Sequence, residues 1–167
     1  MQTFLKAQDF NFNTLAIILE RIGDPNVLPY LHITMVFMLY IASIGAKDLL
    51  THKFPWVALS KFLNDLLGTQ TPHEIGSSTR FPESQTNDVQ PLPEDWTMRG
   101  LLWTETYFPE YWFSNSSIKN DEWHLEKSST ATERRARIIH IAMSFVESSF
   151  KDEIKYDAAR FVSRSGK

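Results

Sequence analysis

The chain has 167 residues, a formal net charge of -3, 43% hydrophobic and 13% aromatic residues, and no cysteine. That is one domain's worth of chain with apolar content for a real core, which excludes wholesale disorder. The missing cysteines remove disulfides, thiolate catalysis, zinc–thiolate sites and iron–sulfur clusters together, and the overall charge makes no global case for nucleic acid.

In chain order, Met1 to Asn13 carries Lys6 and Asp9 among scattered apolar residues, without the continuous run of a secretory signal. Thr14, Leu15, Ile17, Ile18, Leu19 and Ile22 predict a helix, stopped by Gly23-Asp24-Pro25. A second helix opens near Asn26, whose side chain can cap, and tolerates Pro29 in its first turn. It runs to about Leu50, with a break at Gly45. Val27 to Ile44 has no formal charge and approaches the spanning threshold of about 18 residues. Pro29, His32, Thr34 and Ser43 within it favour a buried core helix over a membrane anchor, since a helical bundle supplies partners that lipid does not. A third helix starts at Pro55, with Trp56, Leu59, Phe62, Leu63, Leu66 and Leu67 at helical spacing and Gly68 as its stop.

Thr69 to Gln90 is rich in Ser, Thr, Gln, Asn, Gly and Pro, and reads as a long exposed loop, an insertion or a linker. His73-Glu74 inside it has no second pair at metal-ligand spacing. The chain thus divides into a helical-hairpin segment (1–68), the polar loop (69–91) and an aromatic-rich segment with C-terminal helices of the same domain (92–167).

Beyond the loop, Pro93 opens a short helix with Glu94 and Asp95 in its first turn, where the helix dipole favours acids; Gly100 stops it. Trp103, Tyr107, Tyr111 and Trp112 follow in a stretch without Lys or Arg, which favours packing over base stacking. The last helix opens on Thr130-Ala131-Thr132-Glu133, the pattern of a capping box. Ile138, Ile141, Ala142, Phe145 and Ser149 line its apolar side, and Arg137, His140, Ser144 and Glu147 the other, so His140 is expected to face solvent. No alternating strand pattern stands out. The expectation is an all-α chain.

Catalytic chemistry is mostly absent from the sequence. The glycines form no phosphate loop, no serine sits in a nucleophile elbow, and no HExxH occurs. Adjacent Glu94 and Asp95 point about a third of a turn apart on a helix, so dipole stabilisation accounts for them better than a shared acid–base site. No enzyme, no cofactor and no metal site is expected.

Charge is uneven: Glu126 to Lys167 holds nine of the 17 Lys/Arg and six of the 20 Asp/Glu. An anionic partner would therefore prefer the C-terminal third. Lys127, Arg134, Arg135 and Arg137 are the candidate nucleic-acid contacts, because Arg134 and Arg135 occupy a first helical turn where the dipole disfavours cations.

Three stretches carry a family resemblance: Leu28-Pro29-Tyr30-Leu31-His32-Ile33-Thr34-Met35-Val36-Phe37, Leu92 to Leu102 with Trp103, and Glu133-Arg134-Arg135-Ala136-Arg137-Ile138-Ile139. Together they resemble the ever-shorter-telomeres/SMG family of telomerase-associated and nonsense-mediated-decay proteins, over about Leu15 to Val146 and closest to filamentous-fungal versions. The middle stretch, which begins Pro91-Leu92-Pro93-Glu94-Asp95-Trp96, is the most specific. The resemblance implies an α-α superhelix of helical hairpins, the continuation of a tetratricopeptide-like array, in a non-catalytic scaffold associated with RNA or single-stranded DNA. It also implies partners from decay or telomerase complexes, a place in nucleus or cytoplasm, and no membrane. The family's tetratricopeptide and phosphoserine-binding part and its nuclease domain are not in this sequence, so a fragment or truncated relative is expected. The alternative is a helical protein-interaction module that touches no nucleic acid.

Overall fold

The computed structural model describes residues 2–51, 53–68, 81–82, 91–114 and 130–164. The described residues are predominantly helical: α1 (Gln2–Leu19), α2 (Leu28–Ser43), α3 (Asp48–Thr51), α4 (Trp56–Gly68), α5 (Pro93–Met98) and α6 (Thr130–Ser144). Single turns of 3-10 helix sit at Pro25–Val27 and Leu102–Thr104, and α6 continues into a π turn at Phe145–Ser149. Apart from 81–82 and 91, the polar loop with His73-Glu74 lies outside the described residues.

The helix stops fall where sterics put them. Gly23, Gly45 and Gly100 follow α1, α2 and α5 with φ of 81°, 76° and 78°, a region that costs a Cβ-bearing residue about 1–2 kcal/mol. Asp24, rather than the expected Asn26, is the cap after the first stop: its Oδ1 accepts from the Asn26 backbone N–H at 2.9 Å. α1 begins well before Thr14. Its first half buries nothing, while Phe12, Leu15 and Leu19 are buried and Ile18 packs against the core, so the first half gave no amphipathic signal. Polar ties across to the domain hold it, Asp9 to Lys53 at 2.7 Å and Asn11 to Tyr30 at 2.9 Å.

α2 is the central helix. Pro25–Ser43 is long and apolar enough by length and composition to cross a membrane. In this fold it packs chiefly on α6, and also on α5 and the Leu102–Thr104 turn. Leu31, His32, Met35 and Val36 are buried to 1% exposure or less. α4 closes the core from the other side with Leu59, Phe62 and Leu63, each at most 1% exposed. Where α6 ends, the π turn changes the phase of the chain. The Phe150 N–H reaches the Phe145 carbonyl at 2.8 Å, and both rings turn inward with centroids 4.9 Å apart.

One element contradicts the all-α expectation. β1 (Ile154–Asp157) and β2 (Arg160–Ser163) form an antiparallel hairpin, with Lys155 opposite Val162 and Tyr156 opposite Phe161. It packs on α4 through the buried Phe161, and one α4 side chain hydrogen-bonds it: Asn64 Nδ2 donates to the Phe161 carbonyl at 2.9 Å, and the Phe161 N–H donates to Asn64 Oδ1 at 2.7 Å. The amide thus stands in for a third strand at that residue. The sequence hides the hairpin because its two-residue turn is Ala158-Ala159, at φ of 47° and 61°, where Asn-Gly would announce it. The Ala158→Asn/Ala159→Gly variant is accordingly expected to gain about 1 kcal/mol and a few degrees in Tm. Thermal unfolding followed by circular dichroism checks this; an unchanged or lower Tm would contradict the turn geometry.

Candidate functional site

The chemistry of the described residues converges on one place, the seam between α2, α5, α6 and the aromatic turns after α5. α2 supplies His32, at 0% exposure, although the rest of its buried face is apolar. α5 supplies Glu94 and Asp95 from its first turn, at 4% and 0% exposure. α6 supplies Arg134 and Arg137, at 2% and 3%. Five polar or charged side chains in a core require partners, and most of them have close ones.

Glu94 is the hub. Arg134 grips it with two hydrogen bonds, Nε to Oε1 at 2.8 Å and Nη2 to Oε2 at 2.9 Å, the paired geometry that makes arginine–carboxylate contacts strong. His32 Nδ1 lies 3.1 Å from the same Oε1, and His32 Nε2 lies 2.7 Å from the Tyr107 hydroxyl. Burial pushes the Glu94 carboxyl up, but the hydrogen bonds and charges of His32 and Arg134 outweigh it and hold the group at about 2. Burial raises the Tyr107 hydroxyl above its ordinary value, so it stays protonated and available to hydrogen-bond.

Asp95 plays a different part from its neighbour. Its Oδ2 reaches back to accept from the Leu92 backbone N–H at 3.0 Å, the reciprocal half of an N-terminal cap, and accepts from Trp112 Nε1 at 3.3 Å. Burial raises its pKa, with the charges of His32 and Arg137 opposing. Arg137 lies against aromatic faces, its guanidinium carbon 3.6 Å from the centre of Phe81 and 4.4 Å from that of Trp112. That cation–π cover partly replaces lost hydration. Among the described residues, Arg137 Nη1 and Asp95 Oδ1 have no hydrogen-bond partner. Phe81, the lone aromatic of the polar loop, also meets the rings of Tyr107, Trp112 and His140 at 5.4, 5.0 and 6.0 Å.

No protein-family model, curated protein or solved structure matches this chain. What can be said of the site comes from its own geometry.

That geometry corrects the surface reading of the arginines. Arg134 and Arg137 point into the core, where a phosphate backbone does not reach them. Arg135 is partly exposed, and Lys127 lies outside the described residues. The physical reason is helical phase: Arg134 stands four residues before Ile138 and seven before Ile141, and Arg137 four before Ile141, so both share the apolar stripe. Glu94 and Asp95 are corrected as well, since they anchor a buried network as well as favouring the helix dipole. His140 is half-buried against Phe81, with its pKa lowered by burial and then by Arg137. Of the aromatics, Trp112 is buried at 4% while Tyr111 stands 64% exposed at φ 62°.

The sequence of Tyr107 hydroxyl, His32 and Glu94 has the connectivity of a proton relay, a hydroxyl on one imidazole nitrogen and a carboxylate on the other. Here it is closed off, because His32, Glu94 and Arg134 are all under 5% exposed. A cleft of about 620 Å³ lies elsewhere, lined by residues such as Leu19, Trp56, Val57, Lys61 and Arg164, with no member of the cluster in its wall. Among the described residues no group of three or more His, Asp or Glu is placed to hold a metal ion. The arrangement's chemistry is cohesion: it locks three helices and an aromatic turn in one register.

Proposed function

We propose that the chain is a non-catalytic helical scaffold module of the ever-shorter-telomeres/SMG type, an α-α superhelical segment that works with nucleic acid in mRNA decay or telomere maintenance. One observation carries this reading. The three stretches on which the resemblance rests, far apart in sequence, each contribute to the same buried cluster: His32 from the first, Glu94 and Asp95 from the second, Arg134 and Arg137 from the third. Side chains that must fit one another tie the three stretches together as a single structural unit, which supports treating them as one signature rather than three coincidences.

On this reading Arg134 and Arg137 build the scaffold, and phosphate contact falls to Arg135 and Lys127. The test is binding of the purified chain to labelled single-stranded RNA and DNA across a salt titration. Micromolar binding that weakens as salt rises is expected, with the log–log slope flattened by about 0.7 for each of Arg135→Ala and Lys127→Ala. A folded chain with no salt-dependent binding would refute the nucleic-acid part and leave a protein-interaction scaffold.

A further inference from the structure

The C-terminal hairpin has one closed edge and one open edge. Asn64 of α4 bonds both the N–H and the carbonyl of Phe161, at 2.7 and 2.9 Å, so these groups of β2 point away from β1. Tyr156 stands directly opposite Phe161. In an antiparallel pair, opposed residues either exchange both backbone bonds or turn all four groups outwards, and Tyr156 and Phe161 are of the second kind. The Tyr156 N–H and carbonyl therefore leave β1 on the side away from β2. β2 packs on α4, while β1 has its main contacts with β2 and the π turn. Among the described residues nothing hydrogen-bonds the Tyr156 backbone. Such an edge is a template for a further strand.

Charge along the edge says which strand fits. β1 carries exposed Lys155 and Asp157, one on each side of Tyr156. A second β1 running antiparallel, with Tyr156 opposite its own copy, sets Lys155 opposite Asp157 twice. Centring the pair one residue away, on Lys155 or on Asp157, sets like charges opposite each other, which is unfavourable. Within its own hairpin Asp157 faces Arg160 and Lys155 faces Val162. Each row across the joined sheet then reads Arg160, Asp157, Lys155, Val162, with opposite charges adjacent. On the other face the Tyr156 ring, 5.0 Å from that of Phe161, extends the aromatic row across the join. A lone edge lysine guards against strand addition, but Asp157 two positions on makes this edge complementary to itself.

We propose that the outer edge of β1 is a docking site for a second copy of this chain, joined β1 to β1 about a two-fold axis at Tyr156. The Tyr156 backbone supplies the bonds across the join, and Lys155 and Asp157 fix the register. An edge of four residues makes a small interface, so the association is weak and reversible. The inference goes beyond the scaffold reading and does not depend on nucleic-acid binding.

The test is sedimentation of the purified full chain at concentrations up to about 1 mM. A monomer–dimer equilibrium with a dissociation constant on the order of 100 μM is expected. Lys155→Asp is expected to weaken it about tenfold or more. So is Asp157→Lys/Arg160→Asp, which keeps an opposite pair inside the hairpin while setting like charges across the join. An equimolar mixture of these two variants should associate as the parent does, because every contact across the join again pairs opposite charges. All three positions are exposed, so the variants keep the fold, which circular dichroism verifies. A parent chain that stays monomeric throughout would overturn the proposal. So would variants that associate as well as the parent, or a mixture no tighter than its two components.

Discussion

Arg134→Ala is expected to destabilise the chain by about 3–5 kcal/mol, the range for removing one partner of a buried ion pair. The loss comes less from the missing guanidinium than from what it leaves. Glu94, 4% exposed, would keep a buried carboxylate with His32 as its remaining hydrogen-bond partner of the two. Urea unfolding measures the effect as a shift in midpoint at unchanged slope. Glu94→Gln should cost a similar amount, and Glu94→Leu/Arg134→Met much less than the two single losses combined, since paired apolar replacements leave no orphaned charge.

The same contact sets a pH dependence. In the folded chain Glu94 titrates at about 2, below its ordinary 4.5. A carboxylate with a depressed pKa contributes stability that is fully present above the unfolded value and lost as pH falls through the folded one. Acidification from 4.5 towards 2 should therefore remove stability on the order of 3 kcal/mol from this group. Asp95, raised by burial, works in the opposite sense and regains some stability on protonation. The Glu94→Gln variant is expected to show a flatter profile across that window.

Trp112→Ala is the second large effect, expected at about 3–5 kcal/mol for truncating a buried aromatic. Trp112 does three things at once: it fills core volume at 4% exposure, donates to Asp95, and shields the Arg137 guanidinium. Trp112→Phe keeps the first and third and loses the hydrogen bond, so about 1–2 kcal/mol is expected. Tyr111→Ala, one residue away but 64% exposed, should stay within about 0.5 kcal/mol. Equal losses at 111 and 112 would mean that the aromatic turn is wrongly seated.

Much of the helical frame is legible in the sequence, for reasons that can be named. α4 declares itself because its leucines and Phe62 recur at helical spacing between Pro55 and Gly68, and α2 because a long run without charge needs a core around it. The stops at Gly23, Gly45 and Gly100 are legible because glycine tolerates positive φ. The hairpin is not, since its strands are four residues each and its turn uses alanines where the backbone would suit Asn-Gly.

The site itself is hidden by habit of composition. Arginine is usually a surface residue, so a basic first turn reads as a solvent face or a phosphate contact, although the phase of Arg134 and Arg137 against Ile138 and Ile141 already points inward. Partnership across 40 residues between Glu94 and Arg134, and across 62 between His32 and Glu94, leaves no local trace. Phe81 is similar: one aromatic in a polar stretch gives no period to read, yet it roofs Arg137.

The measurement that bears most directly on this account is the side-chain Nε–H resonance of Arg134 in a 15N–1H spectrum at neutral pH. Bound to Glu94 and 2% exposed, it should appear as a separate signal, resolved from the exposed arginines and slow to exchange with water. A signal that merges with theirs and exchanges as fast would place Arg134 at the surface, and the lock between the three stretches would not exist.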